Sequence, residues 1–169
     1  MGAACEPLTF ESLTGEAATL IDRCRAGGVT LASGESCTGG LIAAILTEVP
    51  GSSDVVERGF VTYSNQAKSD LLGVPKALID GHGAVSEPVA RAMAEGVLAA
   101  SPTTVAIAVT GIAGPGGGTA DKPIGLVHLA VARRGGRLVH DKQLFGDRSR
   151  HEIRLLTVQR ALALVGAVL

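Results

Sequence analysis

At 169 residues the chain is sized for one domain that buries a substantial core. Hydrophobic residues make up 46%, yet no apolar run reaches bilayer length and no basic stretch precedes an apolar one at the N-terminus, which excludes a membrane span and a secretory signal. Fifteen Lys+Arg against 16 Asp+Glu leave a formal charge of −1, which excludes a general nucleic-acid surface while allowing a local basic pocket. Aromatics are only 2%, so the interior must be built from small aliphatic side chains on closely approaching backbones. Cys5, Cys24 and Cys37 form an odd, widely spaced set without a CxxC pair, the pattern of reduced thiols in a cytoplasmic protein rather than of a disulfide framework or zinc site.

Residues before about Thr9 read as a loose terminus. Leu13, Ala17, Leu20, Ile21 and Cys24 then recur at helical spacing, closed by Gly27-Gly28. Val29–Ala32 predicts a buried strand, Ser33 to Gly40 (S-G-E-S-C-T-G-G) a small-residue turn, and Leu41 to about Glu48 a helix. Pro50–Ser53 is a turn, Val55–Tyr63 a second strand, and Ser64 or Asn65 caps a short helix through Lys68 and Leu72. Gly73–Gly83 reads as loop with one helical turn at Lys76–Ile79. Ser86-Glu87-Pro88 opens a helix to about Ala100. Thr104–Val109 is a β-branched strand that runs into a loop with five glycines in positions 111–118. Ile124–Ala132 and Leu138–Phe145 predict a hairpin about Arg133–Gly136, and Asp147 caps a last helix. Helices alternating with strands, with a hairpin near the end, define a single-domain layered α/β fold whose mixed, mainly parallel sheet is flanked by helices. Ligands in such sheets collect at the strands' carboxyl ends, where Ser36, Tyr63, Lys68 and the glycine loop all fall.

A strand, tight turn and helix can hold a hydroxyl beside unpaired N–H groups suited to an oxyanion; the same pattern also serves as a plain capping turn. Ser36 needs a base, and none of His82, His128, His140 and His151 stands in a motif with a carboxylate. Lys68 is the base candidate, provided that burial or a neighbouring cation lowers its pKa, and Tyr63 could share or relay the proton. Against this stand a solvated helix lysine and a core ring. Glu35 is a base, an orienting carboxylate or a partner of the helix dipole. Cys37, with no histidine beside it, reads as a small buried hydrophobe. The glycine loop could cradle a phosphate through its N–H groups, with Lys122 and Arg148 as candidate cations or ordinary surface charges; it matches neither dinucleotide nor P-loop spacing. No acidic cluster of metal-ligand type accompanies it, so a metal-dependent phosphate-ester hydrolase is disfavoured.

The segments E-S-C-T-G-G (35–40), G-S-S (51–53), R-G-F-V-T-Y-S-N-Q-A-K (58–68), G-A-V-S-E-P-V-A (83–90), T-G-I-A-G-P-G-G-G (110–118), K-P-I-G (122–125) and G-D-R (146–148) resemble, in order and over nearly the whole chain, the CinA C-terminal domain family. Ser33-Gly34 departs from the Thr-Ala-like pair of that family and bears on the geometry of the turn. The resemblance implies a nicotinamide-nucleotide amidohydrolase that converts nicotinamide mononucleotide and water to nicotinate mononucleotide and ammonia in pyridine-nucleotide recycling. It places the family's serine, lysine and tyrosine on Ser36, Lys68 and Tyr63. Oxyanion donors would come from the N–H groups of Cys37, Thr38 and Gly39 or from the Thr38 hydroxyl. Substrate contacts would come from Glu35, Thr110, Gly111, Gly114, Gly116, Gly117, Lys122 and Arg148. No metal or organic cofactor is implied; a small-molecule substrate and a homo-oligomer are, with no nucleic-acid or membrane partner. Many relatives carry this domain behind one resembling molybdopterin-binding folds, for which 169 residues leave no room, so a stand-alone form is expected. The alternative is a non-catalytic module that binds a pyridine nucleotide or a partner in competence or damage responses.

Overall fold

A computed structural model describes residues 7–169; Cys5 and most of the expected loose terminus lie outside them. The elements are α1 (Phe10–Ala26), β1 (Leu31–Glu35), α2 (Leu41–Thr47), β2 (Val56–Val61), α3 (Asn65–Leu72), α4 (Lys76–His82), α5 (Glu87–Ala99), β3 (Val105–Gly111), β4 (Leu126–Arg133), β5 (Leu138–Leu144) and α6 (Arg150–Gly166). One five-stranded sheet has the order β2-β1-β3-β4-β5. β1 is parallel to both β2 and β3, and β4 is antiparallel to β3 and β5, so four strands point the same way and β4 alone opposes them. This is the expected layered α/β architecture with a mixed sheet.

Each central strand sorts its side chains by size. In β3, Val105, Ile107 and Val109 join the core under α1, α2 and α6, whereas Ala106 and Ala108 face the core under α3, α4 and α5. β4 repeats this with Val127, Leu129 and Val131 on one face and Ala130 and Ala132 on the other. The alanine face lets α5 settle close to the sheet. Gly34 and Gly96 take the contact further. A methyl group on Gly34 would stand 2.8 Å from Val97 Cγ2, and one on Gly96 only 2.0 Å from the Leu72 carbonyl oxygen. α3 is thereby clamped between α5 and the end of β1, which fixes where Lys68 can reach.

Three sequence expectations change. β1 runs through Ser33, Gly34 and Glu35 instead of ending at Ala32, because both neighbours supply ladder partners as far as Glu35 (Val61 and Val109), and pairing on both sides overrides weak strand propensity. Residues 76–82 form a full helix, held by the buried Ile79. The last helix is capped by Ser149, not Asp147: the Ser149 side chain accepts from the Glu152 N–H, and the Glu152 carboxylate accepts from the Ser149 N–H, a capping box that Asp147 has no equivalent partner to make. No helix is long and apolar enough to cross a membrane among the described residues.

Candidate active site

β1 lies between β2 and β3, so the chain leaves it towards opposite sides of the sheet and the switch point falls between β1 and β3. At the carboxyl end of such a pair a crevice opens. Ser36 is the first residue beyond β1, and its N–H donates to the Val109 carbonyl of β3 at 3.0 Å. Across the crevice, α3 starts at a Ser64 cap and carries Lys68 one turn in. Lys68 Nζ lies 3.0 Å from Ser36 Oγ and 2.9 Å from the Thr62 carbonyl oxygen.

Lys68 is only 1% exposed, and both its partners are neutral oxygens; no carboxylate touches it among the described residues. Burial without a counter-charge disfavours the ammonium and pushes its pKa below the usual lysine range. A buried lysine in contact with a serine hydroxyl is an arrangement that can move a proton from oxygen to nitrogen. Cys37 is also buried, and desolvation raises its thiol to about 12, so it stays protonated and acts as a small apolar side chain.

Glu35 is 1% exposed and does not face the crevice. Its carboxylate accepts from Ser33 Oγ, Thr38 Oγ1 and the N–H groups of Gly40, Ile42 and Ala43, at 2.7 to 3.0 Å. With every lone pair engaged it is an orienting carboxylate rather than a base or a substrate contact. The departure at Ser33 is absorbed here, as a donor to Glu35. This network also alters the oxyanion expectation. The N–H groups of Gly40, Ile42 and Ala43 are spent on Glu35, that of Leu41 donates to the Thr38 carbonyl, the Thr38 hydroxyl proton is committed to Glu35, and the Gly39 N–H donates to the Ser36 carbonyl. The N–H groups of Cys37 and Thr38 carry no hydrogen bond among the described residues and are the donors left beside Ser36.

Tyr63 does not stand between Ser36 and Lys68. Its side chain is 60% exposed, and its hydroxyl accepts from Arg150 at 2.8 Å. Arg150 donates its other arm to the Gly114 carbonyl, also at 2.8 Å, and so bridges the end of β2 to the glycine loop. Thr110 is buried with its hydroxyl on the Ala84 carbonyl, which makes it a brace between β3 and the start of α5. A methyl group on Gly111 would stand 3.1 Å from Cys37 Sγ and 2.7 Å from Val127 Cγ2, so glycine is needed for the nucleophile turn to lie against β3 and β4. Gly116 and Gly117 are exposed with unbonded N–H groups, next to Gly118 on a cleft of about 600 Å³. Lys122 is occupied elsewhere: its ammonium donates to the His82 carbonyl at 2.6 Å. Arg148 donates to the Phe145 carbonyl and lies 3.9 Å from Glu152.

The arginines that do reach the site are Arg150 and Arg154, one turn apart on α6; Arg154 donates to the Thr38 carbonyl at 2.7 Å. Sequence reasoning missed both. The available signal was two cations at i and i+4 in the opening turns of a helix, where the dipole disfavours positive charge and a compensating use is implied.

Fold and crevice together define an α/β protein that carries a serine–lysine pair at its switch point. Residues 13–169 match the CinA C-terminal domain, and the chain belongs to that family. It is 55% identical over 132 residues to a CinA-like protein from Akkermansia muciniphila, covering 78% of this chain and 32% of that protein. A CinA-like protein from Chlorobium luteolum is 60% identical over 116 residues, 69% of this chain and 27% of the relative. The chain thus spans about a third of the length of the curated relatives it matches. Among solved structures, competence/damage inducible protein CihA from Agrobacterium tumefaciens is similar with a TM-score of 0.91 at 48% identity, covering 99% of this chain and 98% of that one. A CinA superfamily protein from Escherichia coli superposes with a TM-score of 0.88 at 33% identity, covering 99% and 95%.

Proposed function

We propose that the chain is an amidohydrolase that releases ammonia from nicotinamide mononucleotide by serine–lysine chemistry. One observation carries the reading: Ser36 Oγ lies 3.0 Å from the nitrogen of a buried lysine that no carboxylate neutralises among the described residues. Neutral Lys68 takes the Ser36 proton as Oγ bonds to the carboxamide carbon, and the N–H groups of Cys37 and Thr38 meet the oxyanion. The Lys68 ammonium returns that proton to the departing nitrogen as the C–N bond breaks, giving ammonia and a Ser36 ester. Water, deprotonated by Lys68, then cleaves the ester to the carboxylate and regenerates the hydroxyl. Family membership supports the reading, as does the positive character of the mouth, where Arg150 and Arg154 bond only neutral oxygens among the described residues.

The test is ammonia release from the mononucleotide, the riboside and the dinucleotide. Ser36→Ala is expected to remain folded and lose activity essentially completely, a fall of about a thousandfold or more. The names of the relatives, which speak of competence and damage induction, support a second reading as a ligand-binding or interaction module. Tight nucleotide binding without turnover, unchanged in Ser36→Ala, would establish that reading and overturn the first.

A further inference from the structure

The turn that follows Ser36 is built on flexible backbone. Gly39 and Gly40 both have positive φ, 59° and 97°, and neither has a side chain to anchor it. Thr38, just before them, is wholly buried, and its polar groups are filled from two sides. Its hydroxyl donates to Glu35 at 2.7 Å, and its carbonyl accepts from Arg154 at 2.7 Å and from the Leu41 N–H at 3.2 Å. Only its N–H has no acceptor among the described residues. A buried N–H without a partner is rare, and it is accounted for when the acceptor arrives with the substrate. Glu35 holds the turn from within the same stretch of chain, whereas Arg154 comes from α6, 116 residues further on. A methyl group on Gly39 would stand 3.9 Å from Arg154 Nη2, so the guanidinium lies along the turn. It is half-buried and no carboxylate contacts it among the described residues. Keeping a partly desolvated cation without an anion is costly, and a carbonyl already bonded to the Leu41 N–H does not require one. Its charge gains a partner when negative charge develops on the other side of the turn.

We propose that Arg154 is a positioning residue for the reaction: it holds Thr38 by its carbonyl so that the Thr38 N–H stays aimed at the oxygen that turns negative when Ser36 adds to the carboxamide. The inference rests on the amidohydrolase reading. Arg154 then acts on the tetrahedral state, and neither on a phosphate nor on the planar substrate.

The experiment titrates the intact chain with pyridine-3-boronic acid and with nicotinate mononucleotide, and measures kcat and KM for ammonia release from the mononucleotide and the riboside. With the boronic acid, Ser36 Oγ bonds to boron, the Ser36 proton passes to Lys68 and no bond breaks, which gives a tetrahedral adduct; nicotinate mononucleotide is the planar reference. Arg154→Met is expected to lower kcat and boronate affinity about 100-fold, as loss of an oxyanion donor does. KM and affinity for the planar product should stay within about threefold, and the losses on mononucleotide and riboside should be equal. Arg154→Lys, which keeps a charged donor for the Thr38 carbonyl, should recover to within about tenfold of the wild type. A loss confined to the mononucleotide makes Arg154 a phosphate contact and overturns the proposal. Equal losses of boronate and product affinity, a kcat within about threefold of wild type, or a lysine variant no better than the methionine one also overturn it. Should the methionine variant not fold, Arg154→Lys carries the test: its boronate affinity should fall at least about threefold with product affinity unchanged, and equal changes in both, or none, overturn the proposal. A wild type that takes the boronate but frees ammonia from no compound refutes the substrate, while the boronate comparison still decides on Arg154. A wild type that does neither overturns the serine–lysine reading and the proposal with it.

Discussion

Replacing Lys68 by methionine separates a lysine kept for chemistry from one kept for structure. The side chain is 1% exposed and its nitrogen has only Ser36 Oγ and the Thr62 carbonyl as partners. Burying an ammonium with no anion costs several kcal/mol, and the lowered pKa of Lys68 is the sign of that cost. Methionine fills nearly the same volume without charge. It gives up two hydrogen bonds at about 1 kcal/mol each and leaves the Thr62 carbonyl short of a donor. The balance favours the variant by about 2 kcal/mol, or roughly 6 °C for a chain of this size. The pH dependence fixes the origin. Because the folded pKa lies below the unfolded value near 10.5, the unfolded chain holds more protons between the two, and wild-type stability rises with pH through that window. The advantage of Lys68→Met is therefore largest near neutrality and shrinks towards pH 10. Denaturant unfolding at pH 7 and 9.5, beside ammonia release, measures both; activity should fall by about a thousandfold or more. A variant that is less stable by 2 kcal/mol, an advantage constant with pH, or activity within tenfold of wild type would refute the reasoning.

Two further outcomes follow from packing and titration away from the serine. His128 is 8% exposed and stands 2.9 Å from His140, and burial, then the charges of His140 and Lys142, lowers its pKa to about 4 from 6.5. The unfolded chain binds the proton first as pH falls, so stability present above pH 6.5 is lost towards pH 4, by up to about 3 kcal/mol; His128→Asn should flatten that slope in unfolding curves, and an unchanged slope would contradict the assignment. Gly96→Ala forces a methyl group against the Leu72 carbonyl, 2.0 Å away on the helix that carries Lys68. Despite the better helix propensity of alanine, a loss of about 2 kcal/mol is expected, with reduced turnover, and an unchanged midpoint would show that α3 is not clamped there.

Much of this was legible because the strands are marked by β-branched runs and the serine and lysine each lie just beyond one. The failures have local causes. Choosing Asp147 as the last helix's cap made Arg148 the cation at its start, whereas the capping box of Ser149 and Glu152 starts the helix two residues later and gives that position to Arg150. The arginine at the first position of the helix is thus Arg150, two residues beyond the one the expected cap had placed there. The fate of Glu35 was not readable at all. Only the count of acceptors filled by Ser33, Thr38 and the first turn of α2 shows that nothing remains for a substrate. Position along the chain gives the neighbours of a carboxylate, not its hydrogen-bond balance.

That carboxylate also explains why Lys68 stays unpaired although an acid lies next to Ser36 in sequence. Side chains on a strand alternate between faces. Ser33 and Glu35 point to the face covered by α2, where Glu35 receives the helix's N–H groups; Gly34 points to the opposite face, against Val97 and Leu72. Ser36 continues the alternation onto that second face and there meets Lys68 from α3. The backbone of β1 therefore separates the Glu35 carboxylate from the Lys68 amine, and the carboxylate is already compensated by neutral donors before it could reach across. Were Glu35 on the other face, its charge would hold Lys68 as an ammonium, and the nitrogen beside the serine could donate a proton but not accept one. The partition of two adjacent residues onto opposite sides of one strand is what leaves the buried amine without a counter-charge, as the proposed base role requires.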